Sequence, residues 1–76
     1  MEQLDCRGLK CPMPLVRISQ RMREMEDGDL LEVLADDMAF CPDIEAWSEE
    51  TGNTLVQCEG SEGQWTVVVR KESGAS

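Results

Sequence analysis

The chain has 76 residues, with 4 cysteines, no histidine and a formal net charge of -9 from 16 acidic and 7 basic side chains. One domain fits that length, with a modest core, because a domain this small buries roughly 60% of its unfolded surface. The acidic balance repels nucleic-acid phosphates and anionic membranes, no apolar run approaches the roughly 20 residues that span a bilayer, and the absence of histidine disfavours any Cys-His catalytic pair.

Residues 2 to 6, "EQLDC", predict a short first strand, which Gly8 interrupts. From Pro12 the apolar residues Leu15, Ile18, Met22 and Met25 recur at helical spacing, with Arg17, Gln20, Arg21 and Glu24 on the other side. The pattern predicts an amphipathic helix running to "EDGD", with Gly28 as its left-handed cap. "LLEVLA", residues 30 to 35, is too short for a helix and suits a strand covered at least in part on both faces. Cys41 and Pro42 then open a second, shorter helix whose Ile44, Trp47 and Thr51 share one side and which Gly52-Asn53 closes. "TLVQCE" and "QWTVVVRK" read as two strands of a hairpin turned by "GSEG", and the tail, residues 73 to 76, reads as flexible. The order is β-α-β-α-β-β. It predicts an α+β two-layer sandwich with a four-stranded mixed sheet and both helices on one face, the whole of residues 1 to 72 forming one domain.

Charge is unevenly spread. Five of the 7 basic residues (Arg7, Lys10, Arg17, Arg21 and Arg23) fall between positions 7 and 23 with no acidic residue among them. They surround Cys11 in "CPMP", where Pro12 and Pro14 suit the first turn of a helix because a missing N–H costs nothing there. That spacing places Cys11 at the helix cap, facing the positive end of the helix dipole, and Arg7 and Lys10 add charge that favours a thiolate. With neither an imidazole base nor a C-x-x-C partner, such a thiolate is suited to accepting and passing on a group by exchange at sulfur, a persulfide being one.

Cys41 repeats the Cys-Pro start, but Asp36, Asp37, Asp43 and Glu45 surround it and oppose a thiolate. It is a candidate second thiol, either a further sulfur site, a resolving thiol or plain variation. Cys6 and Cys58 read as packing residues. A zinc site made of all four cysteines is disfavoured because no two tight cysteine pairs occur, so no metal is expected. Charged residues at positions 2, 5, 7 and 10 stand where a signal peptide needs an apolar run, which predicts a cytoplasmic protein with reduced thiols.

The stretch "LDCRGLKCPMPLVRI" resembles the signature of the TusA-like (SirA-like) sulfur carriers, and the likeness runs over residues 3 to 71. Asp5, Arg7 and Gly8 match the family's "D-x-R-G" lead, and Pro12 and Pro14 match the prolines of its C-P-x-P motif. The resemblance implies a sandwich similar to the C-terminal domain of translation initiation factor 3. It also implies that Cys11 carries sulfur as a persulfide, with no other cofactor, from a donor such as a cysteine desulfurase or rhodanese-type protein to an acceptor sulfurtransferase. Similar carriers are associated with transfer RNA thiolation, cofactor sulfur supply and sulfur oxidation. On this reading Met13, Arg17, Arg21 and Arg23 form a docking surface for acidic protein partners, and neither nucleic acid nor membrane is bound directly. The alternative is a non-catalytic acidic interaction or regulatory module in which Cys11 is incidental. RNA binding ranks third, since the basic segment has no aromatic residue on which bases could stack.

Overall fold

The computed structural model describes residues 2–10 and 12–72, Ser61 by its backbone alone. Strand β1 (Glu2–Asp5) leads to helix α1 (Met13–Met22), β2 (Leu30–Ala35), α2 (Phe40–Thr51), β3 (Thr54–Ser61) and β4 (Gln64–Arg70). The four strands form one mixed sheet in the order β1-β2-β4-β3. β1 and β2 are parallel, whereas β4 runs antiparallel to both β2 and β3.

Alternation along the strands selects the buried face. Leu31, Val33 and Ala35 of β2 and Val67 and Val69 of β4 are inaccessible to solvent, and they meet Ile18 and Met22 of α1 and Phe40, Ile44 and Trp47 of α2. The helices lie side by side, joined by the indole Nε1 of Trp47 donating to Ser19 Oγ at 3.1 Å. The predicted two-layer architecture is therefore the observed one. Glu62 and Gly63 turn the β3–β4 hairpin with positive φ at both positions, 52° and 78°, the backbone that a two-residue connection with matching twist requires.

The helices differ from their predicted bounds. α1 stops at Met22, well before Gly28, because its backbone tightens into three-residue turns: Glu24 N–H donates to Arg21 and Met25 N–H to Met22. Met25 nevertheless stays buried, which is why the helical period continued past the helix. Lys71 closes this end, its Nζ donating to the Met25 carbonyl at 2.7 Å. α2 has 12 residues against 10 for α1, so the second helix is the longer one. It starts a residue before Cys41, with Ala39 as its cap, and ends as predicted on Gly52 at φ 80°. Residues 73 to 76, predicted as a tail, lie outside the described residues.

Candidate functional site

Because β1 and β2 are parallel and each is followed by its helix, the loops entering α1 and α2 emerge at the same end of the sheet. Two residues at the start of the first loop, Asp5 and Arg7, hold one another. The Asp5 carboxylate accepts from the backbone N–H of Arg7 at 3.0 Å and from its guanidinium at 3.0 and 2.8 Å. These bonds lower the Asp5 carboxyl from its usual 3.8 to about 2. The Arg7 guanidinium predicted to favour a thiolate is thus already paired with Asp5, and Lys10, which is exposed, is the loop's other cation.

Gly8 turns the loop at φ 86°, a conformation that side-chain-bearing residues rarely adopt. Its N–H is received by both oxygens of Asp36, at 3.0 and 3.1 Å. Asp36 belongs to the second loop, so one carboxylate ties the two entrances together. Its neighbours in sequence marked it only as a negative charge near Cys41, and the signal for its real role, a glycine N–H lacking a local acceptor, is invisible without the topology.

Pro12 occupies the cap of α1, and Pro14 is buried in its first turn, while Met13 N–H donates back to the Lys10 carbonyl at 2.8 Å. The cap residue is therefore Pro12 and not Cys11, a correction to the predicted spacing. Cys11 itself, immediately before Pro12 in the chain, lies outside the described residues. Met13 is 43% and Val16 38% exposed beside this start. A shallow groove of about 340 Å³ follows α1 past Pro12, Leu15, Val16, Ser19, Gln20 and Arg23. Of the arginines predicted to dock partners, Arg17 and Arg23 are exposed, and Arg21 is half-buried and paired with Glu2 at 3.2 Å.

Residues 2–71 match the family described as Sulfurtransferase TusA. The chain belongs to that family. A protein of Neisseria meningitidis named as a sulfur carrier is 41% identical over 69 residues, covering 91% of this chain and 93% of its own. The sulfur carrier protein TusA of Allochromatium vinosum is 31% identical over 70 residues, 92% of each chain. A longer relative from Aquifex aeolicus is 40% identical over 95% of this chain, which spans only 36% of that protein. The crystal structure of a SirA-like protein from Desulfitobacterium hafniense superposes with a TM-score of 0.81 at 24% identity, covering 96% of this chain and all of the other, which supports the shared fold.

In this member of the TusA family the remaining cysteines are not the reduced set that was predicted. Cys41, in the first turn of α2, is joined to Cys58 of β3 by a disulfide, with the Cα atoms 6.4 Å apart. The local cause is a bulge at Val56. Leu55 pairs with Val69, and Cys58 pairs with Val67, so the extra residue moves position 58 onto the helix-covered face that an unbroken alternation would have given to Gln57. Val56, the inserted residue, is 50% exposed. Cys58 was read as packing, and a bulge of this kind leaves no periodic signature. Cys6 does pack as predicted, fully buried, and burial pushes its thiol up against a smaller lowering from Arg17. Among the described residues no group of side chains is arranged to hold a metal ion, and no helix is long and apolar enough to cross a membrane.

Proposed function

We propose that the chain is a sulfur carrier that takes sulfane sulfur as a persulfide on Cys11 and passes it to an acceptor protein. The observation that carries this reading is the match of nearly the whole chain to the TusA sulfurtransferases, joined to the "DCRGLKCPMP" segment in which Asp5, Arg7 and Gly8 hold the loop and Pro12 and Pro14 start the helix. The Cys11 thiolate attacks the outer sulfur of a donor persulfide, forming a new S–S bond while the donor cysteine leaves as a thiolate. An acceptor thiolate later takes the outer sulfur in the same way and releases Cys11. No histidine is needed, because proton transfer is not the difficult step once both sulfurs are anionic.

Fixed geometry supports that chemistry. Gly8 anchored on Asp36 sets the path of the chain towards Pro12, and the positive end of the α1 dipole faces the loop. Lys10 supplies the local cation. Donor and acceptor dock over the groove along α1, with Met13 and Val16 as apolar contacts and Arg17 and Arg23 meeting acidic surfaces. The cysteine desulfurase and rhodanese-type classes are the donors this reading favours.

Intact-mass spectrometry without reductant, after incubation with a cysteine desulfurase and cysteine, tests the proposal. The native protein gains a sulfur adduct, and Cys11→Ser does not. An adduct that survives Cys11→Ser, or none on the native protein with either donor class, overturns it. Charge reversal of Arg17 and Arg23 to Glu lowers the transfer rate at low salt by about 10-fold, an effect that shrinks as salt screens it. An unchanged rate removes the docking surface from the proposal and leaves Cys11 in place.

A further inference from the structure

The Cys41–Cys58 disulfide is not part of the loop that holds Cys11 in the sequence, and nothing in the carrier cycle uses it. Its two halves come from α2 and β3, brought together by the Val56 bulge, and both residues are only partly buried. Cys6 is the opposite case, a fully buried thiol held in its neutral form by burial. Among the described cysteines, therefore, the paired ones are those that are not fully buried. They are also two electrons more oxidised than a dithiol, so they can oxidise an incoming sulfur nucleophile with no other reagent.

The setting favours a small entrant. Glu45 Oε1 lies 3.9 Å from Cys41 Sγ, and Asp43 sits in the same first turn of α2. These carboxylates oppose the approach of bulky anionic thiolates, whereas hydrogen sulfide is small and exchanges between its neutral and hydrosulfide forms near neutral pH, so it can enter uncharged and attack as hydrosulfide. The positive end of α2 favours whatever anion forms on Cys41 once the bond opens.

We propose that the Cys41–Cys58 disulfide is a second sulfur-loading site, which captures hydrogen sulfide reversibly as a cysteine persulfide. The sulfide sulfur forms a bond to the sulfur of one cysteine, and the Cys41–Cys58 bond breaks. The other cysteine leaves with the bonding electron pair and takes up a proton released by the sulfide. The captured sulfur rises from the sulfide to the sulfane level as the disulfide is reduced, so atoms and electrons balance. In the reverse direction the freed thiolate attacks the inner sulfur of the persulfide, expels hydrosulfide and restores the disulfide. The inference deepens the sulfur-carrier reading but does not pass through Cys11.

Cys11→Ser protein, oxidised with diamide, separates the two ideas. Peptide mapping without reductant first shows a Cys41–Cys58 link. Sodium sulfide is then added anaerobically and the thiols are blocked with iodoacetamide. A single additional sulfur is expected on a peptide carrying Cys41 or Cys58, and it disappears with return of the disulfide when sulfide is removed before blocking. The same protein reduced beforehand takes up none, a control that needs no further substitution. Cys58→Ser in the same background, checked for folding by circular dichroism, brings the adduct to background. Absence of the link, absence of the adduct on oxidised protein, or equal adducts on oxidised and reduced protein each overturns the proposal. None of those outcomes bears on whether Cys11 carries sulfur in the native chain.

Discussion

The molecule contains two helices that begin near a Cys-Pro pair at the same end of one sheet, and they have been put to different uses. At α1 the proline is the cap, a second proline follows, the neighbouring charges are basic or internally paired, and the entry loop is fixed by Asp5 and Asp36. At α2 the cysteine lies inside the first turn, acidic residues flank it, and its sulfur is bonded to a strand. Similar local sequence thus gives a clasped loop leading to a proline cap in the first case and a covalent tie in the second. What separates them is the charge of the neighbouring residues in sequence and, at α2, a partner that comes from tertiary structure, not the Cys-Pro pair itself.

The largest effect that this contrast predicts is functional. Cys11→Ser removes desulfurase-dependent sulfur loading altogether, while Cys41→Ser, assayed by the same mass measurement, retains it. Equal loss in both would mean that the two entrances form one relay, and the contrast would break. Next in size is stability. The disulfide closes a sequence separation of 17 residues, for which loop-closure entropy gives about 3 kcal/mol. Urea midpoints measured with and without reductant should differ by that order in the native chain and coincide in Cys58→Ser. No reagent-dependent difference in the native chain would show that the tie contributes nothing to holding α2.

The entrance to α2 has a further support that can be tested separately. Gly60 lies under the Trp65 ring so closely that a Cβ there would approach Cζ3 to 2.5 Å, and the same indole donates to the Asp37 carbonyl at 3.0 Å. Gly60→Ala forces the ring to shift and costs about 2 kcal/mol in urea unfolding. Because the ring holds the β2–α2 loop and not the β1–α1 loop, sulfur loading at Cys11 changes less than stability does. A smaller effect of about 1 kcal/mol is expected for Asp36→Ala, which removes the acceptor of Gly8 N–H. Here the order is reversed, since the loop leading to Pro12 loses its anchor and the loading rate falls although the fold persists. Loading that tracks global stability equally in both variants would refute the division of labour.

The sequence made some of this contrast legible and hid the rest, for physical reasons. β2 was placed to the residue, and Ile44 and Trp47 were placed on the inner side of α2, because side-chain periodicity reports burial directly. Gly52 ended its helix as predicted, since a left-handed cap is a local requirement. The end of α1 was misplaced because Met25 remains buried through three-residue turns that preserve the apolar period without the helix. The Asp36–Gly8 bond and the Cys41–Cys58 bond were invisible, the first joining residues 28 positions apart and the second depending on a bulge that inverts the facing of β3. The same holds for Arg7: its charge was read correctly, but its engagement by Asp5 depends on a turn that composition does not encode.

That last pair yields the smallest and most specific prediction. Arg7 lowers the Asp5 carboxyl from 3.8 to about 2, chiefly through hydrogen bonds. A carboxyl whose folded value lies below its unfolded one binds fewer protons in the native state, so it contributes stability above the unfolded value and loses it as the pH falls through the folded one. The window is therefore about pH 4 down to 2. Both side chains are exposed, so solvent and salt screen the pair and the contribution is small. The chain carries 16 acidic side chains, which makes the informative quantity the difference between the native protein and Asp5→Asn. Urea midpoints of the native chain should fall more steeply between pH 4 and 2 than those of the variant, with the gap narrowing in high salt. Parallel slopes would mean that the Asp5–Arg7 clasp is no tighter in the native state than in the unfolded chain, and that Gly8 on Asp36 alone shapes the entrance to α1.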